Sequence, residues 1–182
     1  MTGIWVYNST DDSVTKIYTS GYQWQYFIVI GNKCLISSDN SSSTGILLYN
    51  STDDSVIKIY ESYYNWQYFH QVTENKCLIS SSSSSSTGIL LYKSTGDTIT
   101  QIYTSGLNWK YFQIIGDKWL ISGASSNAGI LLYNSTDDSV IQIYSTGNAW
   151  SYFQVIGDKC LISGSNAGIL LYILYNRQPG FL

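Results

Sequence analysis

The chain holds one proline, one histidine and little charge, and each scarcity removes a class of function. Charged residues make up 12%, about half the usual share of a soluble domain, and the net charge is −3. The nine Lys and Arg are scattered, so nothing forms the basic stripe that a nucleic acid duplex requires. No apolar run approaches the roughly 20 residues of a membrane helix, so no membrane partner is expected. Met1-Thr2-Gly3 runs straight into patterned sequence without a signal peptide, which points to a soluble, cytoplasmic protein. Three cysteines are an odd count for a disulfide framework. No stretch shows a 3.6-residue apolar period, so nothing favours helix.

What the chain has is aromatic residues and repetition. Seventeen Tyr and six Trp favour strands over disorder. Trp24, Trp66, Trp109 and Trp150 recur at spacings of 42, 43 and 41 residues. The same register aligns GIWVYNSTDDSVTKIY from Gly3 with GILLYNSTDDSVIKIY from Gly45, GILLYKSTGDTITQIY from Gly88 and GILLYNSTDDSVIQIY from Gly129. A fifth start, GILLY from Gly168, leaves the pattern as ILYNRQPGFL. The chain therefore reads as one array, with repeats at about 2–43, 44–86, 87–127 and 128–166 and a partial unit at 167–182.

Each unit holds four short apolar runs separated by turn chemistry, which is the signature of strands. The run GILLY is apolar throughout and should be buried on both faces. VIKIY alternates, placing Ile57 and Ile59 on one face and Val56, Lys58 and Tyr60 on the other. Its central Lys or Gln (Lys16, Lys58, Gln101, Gln142) suits an outer edge strand. WQYFQVI places Trp and Tyr on one face and Phe on the other, and KCLIS is short and mostly apolar. NSTDDS has the composition of a tight hairpin, and Gly31-Asn32, Gly116-Asp117 and Gly157-Asp158 form a second one.

Four antiparallel strands in some 42 residues, repeated, make the blade pattern of an all-β propeller. Lys159–Tyr172, KCLISGSNAGILLY, resembles the stretch where WD40-type blades carry L-x-S-G-S-x-D-G-x-I-x-x-W. The resemblance implies strand A at WQYFQVI, B at KCLIS, C at GILLY and D at VIQIY. The Gly-His and Trp-Asp signatures of WD40 repeats are absent, and Tyr stands at the blade-ending Trp. Seventeen strands do not divide into complete blades. A four-bladed monomer, a five-bladed ring with an incomplete blade, an oligomer of open arcs and a strand-swapped closure all satisfy the count.

No cofactor, metal set or catalytic group is expected. Cys34, Cys77 and Cys160 share one position in separate blades, too far apart for a disulfide and suited to a small buried hydrophobe. His70 replaces Ile28, Gln113 and Gln154 at one strand position, so no His-based catalytic group can recur around the array. The pairs Asp11-Asp12, Asp53-Asp54 and Asp137-Asp138 read as hairpin turns rather than calcium loops, which need more oxygen ligands. The strand-A tryptophans Trp24, Trp66, Trp109 and Trp150 read either as core between blades or as a ring of stacking surfaces. Around them the D-to-A loops vary, at Tyr22, Tyr63, Tyr64, Asn65, Asn108 and Asn148, and the B-to-C loops Ser38–Thr44, Ser81–Thr87, Gly123–Ala128 and Gly164–Ala167 shorten along the chain, while the turns at the opposite end are uniform. Variable loops on a rigid scaffold are where binding residues collect. With His70, these residues form the candidate site of a non-catalytic protein that captures a small polar ligand, a glycan or nucleotide-like molecule. A protein-interaction scaffold and a multivalent lectin-type adhesin are the alternatives. Near-identical repeats rich in Ile, Asn, Tyr and Lys point to recent amplification in an AT-rich genome, such as that of a virus or phage, where host recognition or sequestration is a natural role.

Overall fold

The computed structural model describes residues 2–38, 45–81, 88–105, 107–125, 127–145, 149–165 and 168–174, which hold seventeen strands and no helix. The chain divides into two compact units, Met1–Gly106 and Leu107–Leu182. The first unit opens with a two-stranded hairpin, β1 (Thr2–Asn8) and β2 (Ser13–Ser20). Two four-stranded antiparallel blades follow in chain order. They are β3 (Trp24–Ile30), β4 (Lys33–Ser38), β5 (Ile46–Asn50) and β6 (Ser55–Tyr60), then β7 (Trp66–Thr73), β8 (Lys76–Ser81), β9 (Ile89–Lys93) and β10 (Thr98–Tyr103). The second unit holds a third blade, β11 (Trp109–Ile115), β12 (Lys118–Gly123), β13 (Ile130–Asn134) and β14 (Val140–Tyr144). It ends with a three-stranded sheet, β15 (Ala149–Ile156), β16 (Lys159–Ser165) and β17 (Ile169–Ile173).

The surplus strand has a definite place. β17 pairs with β16 from Lys159↔Ile173 to Ser163↔Ile169, the register of Lys33↔Asn50 to Ser37↔Ile46 in the first blade. Leu174 N then donates to Asp158 O at 2.8 Å, as Ser51 and Ser135 donate to Asn32 and Asp117 in complete blades. The GILLY run at Gly168 thus fills the third-strand position of its own sheet, and β1 pairs with β2 alone.

Blades stack because one sheet cannot bury both of its apolar faces. In the first unit Leu35, Ile46 and Leu48 pack on Trp66, Cys77, Ile79 and Leu90 of the next blade. The opening hairpin makes the same contact, with Ile4 on Ile36 and Leu47. In the second unit Leu120, Ile130 and Leu132 meet Trp150, Cys160 and Ile162. Buried hydroxyls fix one junction in each unit, as Ser37 Oγ donates to the Trp66 carbonyl and Ser122 Oγ to the Trp150 carbonyl. Gly45 leads into its strand with φ +66°, and a Cβ there would lie 1.9 Å from the Tyr60 carbonyl oxygen. Only glycine fits that approach.

Two β-bulges that depart from simple alternation recur along the array, beside a single further one on β7 between Gln71 and Thr73. On strand A, Trp24 pairs with Ser38 and Tyr26 with Ser37, so Gln25 is the extra residue. The same shift occurs after Trp66, Trp109 and Trp150. One added residue reverses the faces that follow, so Trp and Tyr lie on opposite faces and not together as the alternation implies. On strand D, Leu47 pairs with Lys58 and Ile46 with Tyr60, skipping Ile59. Ile59 and Tyr60 both reach the core, and Ile57 is left exposed.

The NSTDDS hairpin is held by its side chains. Asn50 Oδ1 accepts from Thr52 N at 3.1 Å and Asp53 Oδ1 from Ser55 N at 3.1 Å. The second aspartate adopts positive φ (55° at Asp12, 56° at Asp54, 51° at Asp97, 59° at Asp138), a conformation Asp tolerates better than most residues. Each accepts from the tyrosine five residues earlier, at 2.6 Å for Tyr49–Asp54, 2.8 Å for Tyr92–Asp97 and 2.7 Å for Tyr133–Asp138, and likewise for Tyr7–Asp12. The bond to Asp54 and partial burial push the Tyr49 phenol from 10.0 up to about 12. The protonated phenol is the form the fold favours. Its stabilisation is therefore whole below about pH 10 and disappears as pH rises to about 12. Tyr49→Phe is expected to be less stable than the parent at neutral pH, with the gap in denaturant midpoint closing between pH 10 and 12; a gap that stays constant would contradict the assignment.

Candidate functional site

Sheet register places two connections at one end of each blade. In the first blade Trp24 pairs with Ser38, and Ile46 pairs with Ser37 and with Tyr60, so the D-to-A and B-to-C loops leave the sheet together. Much of this end, residues 39–44, 82–87 and 146–148 with Asn148, lies outside the described residues. The D-to-A loops of the first unit are described throughout.

Those loops are organised by the tryptophan they lead into. Trp66 Nε1 donates to Ser62 Oγ at 2.7 Å and Trp24 Nε1 to Ser20 Oγ at 2.8 Å. A buried indole N–H needs such a partner; in the sequence Ser or Thr stands four residues before all four tryptophans, at Ser20, Ser62, Ser105 and Thr146, while Trp150 Nε1 is buried without a hydrogen-bond partner among the described residues. Tyr64 and Tyr22 then meet their tryptophans edge to face at 6.4 Å, and from the other side Tyr60 and Tyr18 do so at 5.6 Å.

This arrangement decides between the two readings of the tryptophans. Trp66, Trp109 and Trp150 are 1%, 0% and 0% exposed, and Trp24 is half-buried. The first three rings are core and offer no stacking surface, because the bulge after each turns the indole inward while the following Tyr faces the other way.

The remaining candidates separate by burial. Tyr22, Tyr64, Asn65 and Asn108 are half-buried, whereas Tyr63 is 70% exposed. Tyr63 stands between Ser62 and Tyr64, both fixed on Trp66, so a ring in solvent is carried by a loop anchored on each side. Gly21 holds that position in the first repeat, with open space around it. Beside Tyr63, Asn65 Oδ1 is buried and has no hydrogen-bond partner. His70 sits half-buried on β7 opposite Leu78, and burial lowers its imidazole from 6.5 to about 4.

Among the described residues no group of three His, Cys, Asp or Glu could hold a metal ion. All three cysteines are free, Cys77 and Cys160 are buried, and burial drives the Cys77 thiol up to about 12. No helix of the described residues is long and apolar enough to cross a membrane.

Neither a protein-family model nor a curated protein matches the chain. Solved structures do. The computationally designed Ika4 protein has a TM-score of 0.58 at 5% identity, over 86% of this chain and 94% of its own. A puromycin-hydrolysing peptidase of Mycobacterium tuberculosis has a TM-score of 0.55 at 8% identity, over 92% of this chain and 29% of its own. The β-propeller domain of the trilobed protease of Pyrococcus furiosus, described as having an open velcro topology, gives 0.47 at 11% identity, over 85% and 58%. The consecutive four-stranded antiparallel sheets and their face-to-face packing make the fold one of β-propeller blades. At these identities the likeness extends to fold alone.

Trp66→Ala is expected to cost about 3–5 kcal/mol of stability, the usual range for a deleted core tryptophan, read by urea denaturation; a loss below about 1 kcal/mol would mean the ring is not core. The His70 shift gives a second expectation. The unfolded chain binds a proton more readily than the fold between pH 6.5 and about 4, so stability falls as pH drops through that window. Gln stands at the equivalent position in the third and fourth repeats. His70→Gln should flatten the profile there, and an unchanged profile would assign the acid sensitivity elsewhere.

Proposed function

We propose that the protein is a non-catalytic binding module, of WD40-like blade order, that captures a small polar ligand such as a glycan or nucleotide-like molecule at the loop end of its second blade. The observation that carries this is Tyr63, a large aromatic ring in solvent on a loop anchored by the Ser62–Trp66 hydrogen bond and the Tyr64–Trp66 contact. An aromatic face held in place binds a sugar or base with little loss of conformational entropy. Asn65 supplies a polar group two residues away, and aromatic stacking with a few placed polar groups is how such ligands are oriented. Tyr22 and Asn108 mark the equivalent loops of the neighbouring repeats, whose different side chains would give each blade a different affinity. A cytoplasmic setting and a viral or phage role in host recognition or sequestration belong to the same proposal and rest on sequence composition.

The test is a screen of glycans and nucleotides, followed by titration calorimetry of Tyr63→Ala. Stacking on an aromatic side chain contributes roughly 1–3 kcal/mol, so the variant should bind about tenfold more weakly or worse, with the thermal midpoint unchanged. Equal binding by parent and variant, or no ligand in either class, would sink the proposal.

A further inference from the structure

The last sheet is exposed where the first blade of its companion unit and the third blade of its own are covered by the blade that follows within the same unit. Ile169 on β17 is 75% exposed, whereas its equivalents Ile46, Ile89 and Ile130 are 0%, 0% and 1%. Leu171 is 55% exposed against 2%, 2% and 8% for Leu48, Leu91 and Leu132. Leu161 on β16 is 39% exposed, and Leu35, Leu78 and Leu120 are 0%. These residues belong to the face that in complete blades meets the following blade. With Tyr152, Leu161 and Ile169 border an open cleft of about 480 Å³. The opposite face is left bare at the other terminus. On the opening hairpin Trp5, Tyr7 and Val14 are 58%, 60% and 61% exposed, while Leu90 and Tyr92, the equivalents of Trp5 and Tyr7, are fully buried.

We propose that the Leu161, Ile169 and Leu171 face docks a second copy of this chain through the Trp5, Tyr7 and Val14 face of that copy's opening hairpin. The occupant follows from an interface the protein already makes. The covering face of one repeat against the receiving face of the next is the contact of Leu35, Ile46 and Leu48 with Trp66, Cys77 and Ile79, and of Ile4 with Ile36 and Leu47. Both bare faces correspond to surfaces that are apolar where blades already meet, with Lys16 over the Trp5 ring and Asp12 bonded to the Tyr7 hydroxyl as the charged groups beside the hairpin face, so a copy-to-copy junction continues the stacking inside the chain. Such a junction is heterologous, joining different faces of the two partners, and repeats either to a closed ring or to an open array. It also shields apolar surface that would otherwise be left to water.

Sedimentation velocity on the full chain, from micromolar to submillimolar concentration, tests this. The parent should exceed the 20.4 kDa of one chain, and Leu171→Asp and Trp5→Asp should each fall to one chain mass with unchanged circular dichroism, since both side chains are already exposed. Mixed together, the two variants should pair one to one, because one retains an intact hairpin face and the other an intact β17 face. A parent that stays at 20.4 kDa, a variant that keeps the parent's mass, or a mixture that does not pair would each overturn the proposal.

Discussion

The constraint on which the structure depends is that an isolated four-stranded blade has two apolar faces and can cover neither. Strand C is apolar at successive positions, so Ile46 and Leu48 point one way and Leu47 the other, and both sides need a neighbour. Stacking answers this repeatedly, and the buried serines make the answer specific. Ser37 and Ser122 have no water to turn to, so their hydroxyls must find the tryptophan carbonyl of the next blade. That bond sets how far one sheet slides over the next, which apolar contact alone leaves loose.

The bulge on strand A converts this packing into a choice of surfaces. By adding one residue after the tryptophan, it directs the indole into the junction and the next tyrosine to the far side of the sheet. The tryptophan is then free to act as an anchor. Its N–H takes the serine four residues back, its edges take two tyrosines, and the loop between them is fixed at both ends. The residue left over in that loop, Tyr63, is the one that meets solvent. Stability and presentation thus come from one side chain, and for that reason the buried tryptophan, rather than the exposed tyrosine, is the repeated element.

Much of this was legible in the chain. The 42-residue register, the four runs in each unit and the Gly-Asn and NSTDDS turns located the strands, because turn chemistry and apolar runs are local signals. The persistence of Asp97 where its neighbour became Gly96 was a further legible clue. The aspartate retained in all four turns is the one that takes positive φ and binds the tyrosine. The Ser or Thr four residues before each tryptophan was also in plain view, but its meaning at Trp24 and Trp66 needed the geometry of the indole N–H. The faces of strands A and D were not legible. A period of two assumes unbroken pairing, and a bulge leaves no mark in composition.

Sequence alone determined the blade: its length, its strand order and its turns, since each depends on residues within a few positions of one another. Tertiary structure decided which side chains are core and which are surface. Trp66 and Tyr63 are equally aromatic and three residues apart, and only the junction with the preceding blade makes one an anchor and the other a platform. It also decided the place of the surplus strand, because GIWVY and GILLY are alike as strings and differ in the strand they pair with, the following one for GIWVY and the preceding one for GILLY at Gly168.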